Sequence, residues 1–185
     1  MSKKYVYTFG AGKAEGNATM KLLLGGKGAN IAEMSNLGMP VPAGFTISTD
    51  VCTAFYENNG QYSDEVKIQV ENGMKHLEEI MGAKFGDSEN PLLVSVRSGA
   101  AASMPGMMDT VLNLGLNETT IKGVIKNSGH ERFGWDAYRR FVQMYGDVVL
   151  NMKPETKEEE DPFEVIIDQV KEKKGIIQDT GLTAD

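Results

Sequence analysis

The stretch Leu92–Thr110 limits most sharply what this chain can fold into. Leu92-Leu93-Val94-Ser95-Val96 is short, rich in β-branched residues and bounded by Pro91, so it predicts a buried strand. It runs without a break into Arg97-Ser98-Gly99. Residues 98–108 then hold small side chains, one proline and three methionines, a mixture that builds neither helix nor strand. Thr110-Val111-Leu112-Asn113-Leu114 resumes as a strand. Any fold that accepts this stretch carries a long irregular loop between two strands.

Such a loop has a chemical use. Tiny side chains let backbone N–H groups approach an anion, and arginine offers a bidentate fork for phosphate. The same composition also suits a tight structural loop with a surface arginine, and the residues alone leave both readings open. Met104, Met107 and Met108 would line a flat aromatic ligand such as a purine, or fill gaps in packing.

The rest of the chain reads as short elements. Residues 5–9 form a strand and residues 10–16 a flexible loop. Gly25-Gly26-Lys27-Gly28-Ala29-Asn30 opens a helix with Ile31, Ala32, Met34 and Leu37 at helical spacing; Gly38 ends it, and Pro40 and Pro42 prevent a restart. Phe45-Thr46-Ile47 is a strand. Thr49-Asp50 caps a helix with Val51, Ala54 and Phe55, and places Cys52 on its apolar face. Ser63 or Asp64 starts a longer helix through Val66, Val70, Met74, Leu77 and Met81. Beyond Gly115 the pattern turns helical, over residues 117–127, 131–150 and 162–173. Phe133, Tyr138, Phe141, Tyr145 and Val148 make one apolar stripe, and Pro162 suits a first helical turn. Residues 153–161 read as a solvated acidic linker, and Thr183-Ala184-Asp185 as the opening of another helix. The expected class is α+β: an α/β portion over residues 1–115, then an all-helical portion over 116–185.

Charge narrows the function. Lys and Arg total 19 against 26 Asp and Glu, a net of −7. That argues against nucleic acid as the main partner, whereas a small phosphorylated ligand needs only one or two placed cations. The single cysteine rules out an internal disulfide. No apolar run approaches the roughly 18 residues that span a membrane, and Met1–Tyr5 leads into no apolar signal core. The expectation is a cytoplasmic chain without a membrane partner. With 2 histidines there is little room for a histidine-rich metal site. His76 reads as a surface side chain, His130 as a cap or exposed residue, and Arg139-Arg140 as a solvated or ion-paired pair.

Gly25-Gly26-Lys27-Gly28 is the second candidate anion site, because glycines at a helix start expose donors and the lysine adds a mobile charge. It is no Walker A loop: Lys21 stands where the first glycine belongs, and Gly28 where serine or threonine belongs. Nor is Gly10-Ala11-Gly12 a dinucleotide fingerprint, since Glu15 occupies the third glycine position, so Gly10–Gly16 reads as structural.

Taken together, several segments resemble the N-terminal part of the pyruvate, phosphate dikinase family. They are Gly16-Asn17-Ala18-Thr19-Met20, Leu23–Asn30, Met39–Thr46, the Ser95–Thr110 loop, and Arg132-Phe133 to Phe141. The synthases that make phosphoenolpyruvate carry a different loop, without Ser-Met-Pro-Gly-Met-Met. The resemblance implies a partial ATP-grasp-like domain that binds ATP with magnesium, the magnesium ligands lying outside this chain. It implies phosphoryl transfer to a histidine on a separate domain, then to pyruvate, in an enzyme that is a homodimer. Lys27 and Arg97 match the family's catalytic phosphate ligands. Ser98, Gly99, Ser103, Gly106, Met107, Met108 and Thr110 match the loop around the polyphosphate. Ala101 departs from the pattern, since the family places an arginine there. A chain reduced to this portion is expected not to turn over alone; the alternative expectation is a non-catalytic nucleotide-binding or dikinase-docking protein.

Overall fold

The computed structural model describes residues 3–99, 110–154, 156 and 159–184. They form two compact units: the described residues of Met1–Ala83 with Ser98–Met108, and those of Lys84–Arg97 with Asp109–Asp185.

The first unit is built on a small antiparallel sheet. Strand β1 (Val6–Gly10) turns back into β2 (Lys13–Ala14) through Gly10, Ala11 and Gly12, all at positive φ. The glycines make that turn possible, so Gly10–Gly16 is structural. Strand β3 (Gly44–Ile47) pairs with the other edge of β1, from Val6↔Ile47 to Phe9↔Gly44. Three helices accompany the sheet: α1 (Lys21–Asn36), α2 (Thr49–Glu57) and α3 (Asp64–Met81). Ser63 Oγ accepts the Val66 N–H at 3.4 Å and Asp64 and Glu65 occupy the first turn, so α3 starts with a cap and favourable charge. Gly82, at φ 61°, ends it. Gly73 lets α3 lie close to the sheet, because a Cβ there would sit 3.1 Å from both Phe45 and Val6. Val6, Leu24, Ala29, Ala32, Val51, Val66 and Leu77 are the buried core.

The second unit pairs β4 (Val94–Arg97) with β5 (Thr110–Leu114), antiparallel, with a register shift between Val94 and Val96. Helices α4 (Thr120–Ser128) and α5 (Glu131–Val148) pack on each other, and α5 packs on β5. Helix α6 (Pro162–Lys174) begins at Asp161, whose Oδ1 accepts the N–H groups of Phe163 at 2.8 Å and Glu164 at 3.3 Å. Pro162 occupies its first turn, Lys171, Lys173 and Lys174 its last, and Gly175 at φ 65° ends it. A 3-10 turn spans Asp179–Gly181. The core holds Leu92, Val111, Leu116, Ile121 and Ile167.

Helices with two small antiparallel sheets make the chain α+β, as expected. The compositional change at 115 and the division by packing are different lines: β4 and β5 pair with each other, and β5 packs on α5, so both strands go with the helices.

Several local expectations need correction. Strand β4 is not buried: Val96 is 48% exposed, because β5 is the only strand paired with it among the described residues. Cys52 is exposed, not core, since Val51 takes the buried position of α2. Phe133 is 56% exposed; α5 instead buries Gly134 and Gly146, and lets its neighbours approach there. A Cβ on Gly134 would stand 2.4 Å from Ile125, and one on Gly146 2.4 Å from Phe163. Leu182, Thr183 and Ala184 hold no helix.

Candidate functional site

The sequence-predicted site falls on two segments. The first is the glycine-rich part of α1. Gly25 breaks the helix with φ 69° and ψ 165°, a conformation open in practice only to glycine, and helical dihedrals resume after it. The following glycines have different roles. A Cβ on Gly28 would meet Thr46 at 2.8 Å, so Gly28 serves the approach of α1 to β3. Gly26 faces open space, with nothing within 4 Å of a Cβ, so packing does not require its missing side chain. Between them Lys27 is exposed, and its Nζ donates to the carbonyl oxygen of Ser98 at 3.3 Å.

The second segment is the end of β4. Arg97 is its last residue, exposed, and pairs in register with Thr110, the first residue of β5. Ser98 and Gly99 continue the chain as exposed coil. Ser103, Gly106, Met107 and Met108 lie outside the described residues, as do Ala101 and Met104. Lys27 and Ser98 are thus brought together in the first unit, and Arg97 and Thr110 in the second. Among the described residues neither Lys27 nor Arg97 has a carboxylate partner. A cation without a counter-charge is suited to an anionic ligand.

The other sequence candidates are explained by packing and pairing. Arg139 Nη2 and Arg140 Nε both donate to Asp136, at 3.0 and 2.9 Å, so that pair is ion-paired. Burial works against the Asp136 charge, but the Arg139 hydrogen bond and the two arginine charges outweigh it and hold the carboxyl below its ordinary range. His130 stands at the start of α5 without a side-chain cap bond, and His76 is exposed on α3. His76 borders an open groove of about 390 Å³ lined also by Lys4, Thr8, Glu15, Gln69 and Asn72. Its polar groups brace one another. Glu15 pairs with Lys4 and accepts the Thr8 N–H and hydroxyl at 2.8 and 2.9 Å. Gln69 Oε1 accepts the N–H groups of Tyr5 and Val6. No group of three or more His, Cys, Asp or Glu side chains among the described residues is disposed to hold a metal. No helix among them is long and apolar enough to cross a membrane.

Sequence reasoning missed the role of the Ser98 carbonyl, because a backbone acceptor leaves no mark in residue identity. It also missed Asp147, whose buried Oδ1 has no hydrogen-bond partner among the described residues. Only the packing of α5 shows it.

Residues 21–68 match the family model described as pyruvate phosphate dikinase, AMP/ATP-binding domain. Over 98% of its length the chain is 55% identical to the pyruvate, phosphate dikinase of Clostridium symbiosum. It is 52% identical to that of Rhizobium meliloti (strain 1021), again over 98% of the chain, and 50% identical to chloroplastic pyruvate, phosphate dikinase 1 of Zea mays over 99%. It spans only 20%, 20% and 19% of those proteins. The chain is therefore a homologue, along nearly its whole length, of about one fifth of a pyruvate, phosphate dikinase, and its residues 21–68 match the AMP/ATP-binding domain model.

Proposed function

We propose that this chain is the ATP-binding portion of a pyruvate, phosphate dikinase, which converts ATP, phosphate and pyruvate to AMP, pyrophosphate and phosphoenolpyruvate. One observation carries the reading: the span matched to the AMP/ATP-binding domain contains the Gly25 break and Lys27. The α/β portion corresponds to part of an ATP-grasp domain. Lys27 and Arg97 neutralise the nucleotide phosphates. Gly26, Ser98 and Gly99 leave backbone N–H groups accessible to them, and Ser103, Gly106, Met107, Met108 and Thr110 complete the loop around the polyphosphate. Aligned cations and N–H groups favour the charge distribution reached during phosphoryl transfer.

The acceptor is a histidine of a further domain; neither His76 nor His130 has this role. Magnesium would neutralise polyphosphate charge when bound, held by ligands outside this chain. The assembly is a homodimer in the cytoplasm.

Calorimetric titration of the chain with MgATP tests the reading, beside Lys27→Ala and Arg97→Ala. Removing a charge-assisted contact costs about 1.5–3 kcal/mol, so each substitution weakens binding roughly ten- to hundredfold. A folded chain that binds MgATP equally well with both cations removed would overturn the placement of the phosphate site.

A further inference from the structure

The segment after α6 is attached to its unit mainly by charge. Arg132 of α5 donates through Nε to the Leu182 carbonyl at 2.7 Å and through Nη2 to the Asp179 carbonyl at 3.1 Å. The Asp179 carboxylate takes Lys171 of α6 at 3.1 Å on Oδ1 and Arg139 of α5 at 3.6 Å on Oδ2. Lys174 Nζ reaches Thr183 Oγ1 at 3.4 Å. Cations from two helices thus converge on one short turn. Apolar anchorage is slight by comparison: Ile177 is 92% exposed, and Ile176 and Leu182 are only half-buried.

We infer that residues 176–184 are a releasable strap, latched by Asp179 over a basic face of α5 and α6. The latch is suited to release. Lys171 and Arg139 are 17% and 26% exposed, but the Asp179 side chain is 41% exposed, and ion pairs that water reaches contribute little each and are screened by salt, whereas buried apolar contacts are not. Arg139 already has a second carboxylate in Asp136, and Lys171 has one in Asp168 at 2.7 Å. Both cations therefore keep a partner when Asp179 leaves. Arg132 differs, since it donates to two carbonyls of the strap itself. Release breaks both of these hydrogen bonds of an already exposed guanidinium.

Hydrogen–deuterium exchange of the strap amides tests this. Gly181 and Leu182 are the probes, bonded at 2.8 and 3.1 Å to the Gln178 and Asp179 carbonyls. Asp179→Asn speeds exchange over 176–184 by about five- to tenfold, while the Ile121 amide in α4 stays protected. Asp168→Asn, which removes only the Lys171 contact away from the strap, leaves 176–184 protected. Raising salt to about 1 M, where the screening length falls to about 3 Å, gives the unmodified chain the Asp179→Asn pattern. Strap protection that survives either the substitution or the salt overturns the inference, because packing would then hold the segment. The salt arm needs no variant and decides the matter even where Asp179→Asn fails to fold.

Discussion

Lys27 donates a hydrogen bond to the carbonyl oxygen of Ser98, 71 residues on in the chain, at 3.3 Å. The contact ties the glycine-rich start of α1 to the segment leaving β4 without engaging a counter-charge. A carbonyl is a weaker partner for an ammonium than a phosphate oxygen, so an incoming nucleotide can displace it. Lys27 is exposed, and losing one such bond leaves stability within about 0.5 kcal/mol. Thermal unfolding of Lys27→Ala is therefore predicted to match the unmodified chain, while MgATP titration shows the loss. A large drop in melting temperature would make Lys27 a structural residue.

Gly25 and Gly26 are predicted to respond in opposite ways. Alanine at position 25 must adopt φ 69° and ψ 165°, which costs about 1–3 kcal/mol. Alanine at position 26 meets nothing within 4 Å and lies in helical backbone, so it stabilises by up to about 1 kcal/mol. If Gly26 lets backbone approach a phosphate, Gly26→Ala still weakens MgATP binding. Paired unfolding and titration curves separate the two effects.

Gly123→Ala is predicted to destabilise the second unit. Its Cβ would stand 2.4 Å from the Ser88 carbonyl oxygen and 2.9 Å from Pro91 Cδ, atoms set by backbone rather than by a flexible side chain. Overpacking of this kind costs about 1–3 kcal/mol. Chemical denaturation monitored at Trp135 on α5 reads the change.

Asp147 predicts an unusual pH response. Burial pushes its carboxyl up, the Asp161 and Glu164 charges push it further, and Lys153 opposes them. A folded pKa above the unfolded one means the protonated form favours the fold. Its stabilisation is present at acid pH and lost as pH rises through the raised value. Asp147→Asn, which cannot ionise, is predicted to unfold at higher temperature than the unmodified chain at pH 7. The gap closes as pH falls through the raised value, and equal melting temperatures at pH 7 would refute the assignment.

Glu15 predicts the reverse. Burial raises its pKa, but Lys4 and the Thr8 N–H and hydroxyl outweigh burial and lower it. The ionised form favours the fold, so its contribution is present above the ordinary glutamate pKa and lost as pH falls through the lowered one. Glu15→Gln lowers the melting temperature at pH 7 and flattens its decline into acid. The effect is modest, since the side chain is 41% exposed and screened by water.

Much of this protein was settled by its residues alone. Gly38 follows the end of one helix, Ser63 starts another, Pro162 sits in a first helical turn, and β-branched runs make β4 and β5, because capping and strand preference act over a few neighbouring residues. The family resemblance was legible for the same reason: Gly25–Asn30 and Ser95–Thr110 carry it as local strings. Burial was not legible. Whether Cys52, Val96 or Phe133 faces the core depends on which element arrives opposite, and that partner is distant in sequence. Nor was the division of labour among glycines. Gly28 is fixed by Thr46, Gly134 by Ile125 and Gly123 by Ser88, all contacts that exist only after folding, whereas Gly26 meets nothing. The charge partners of Asp179 likewise come from two helices. Local conformation follows from short-range sterics and capping; the environment of each side chain follows from long-range packing, which only the tertiary structure decides.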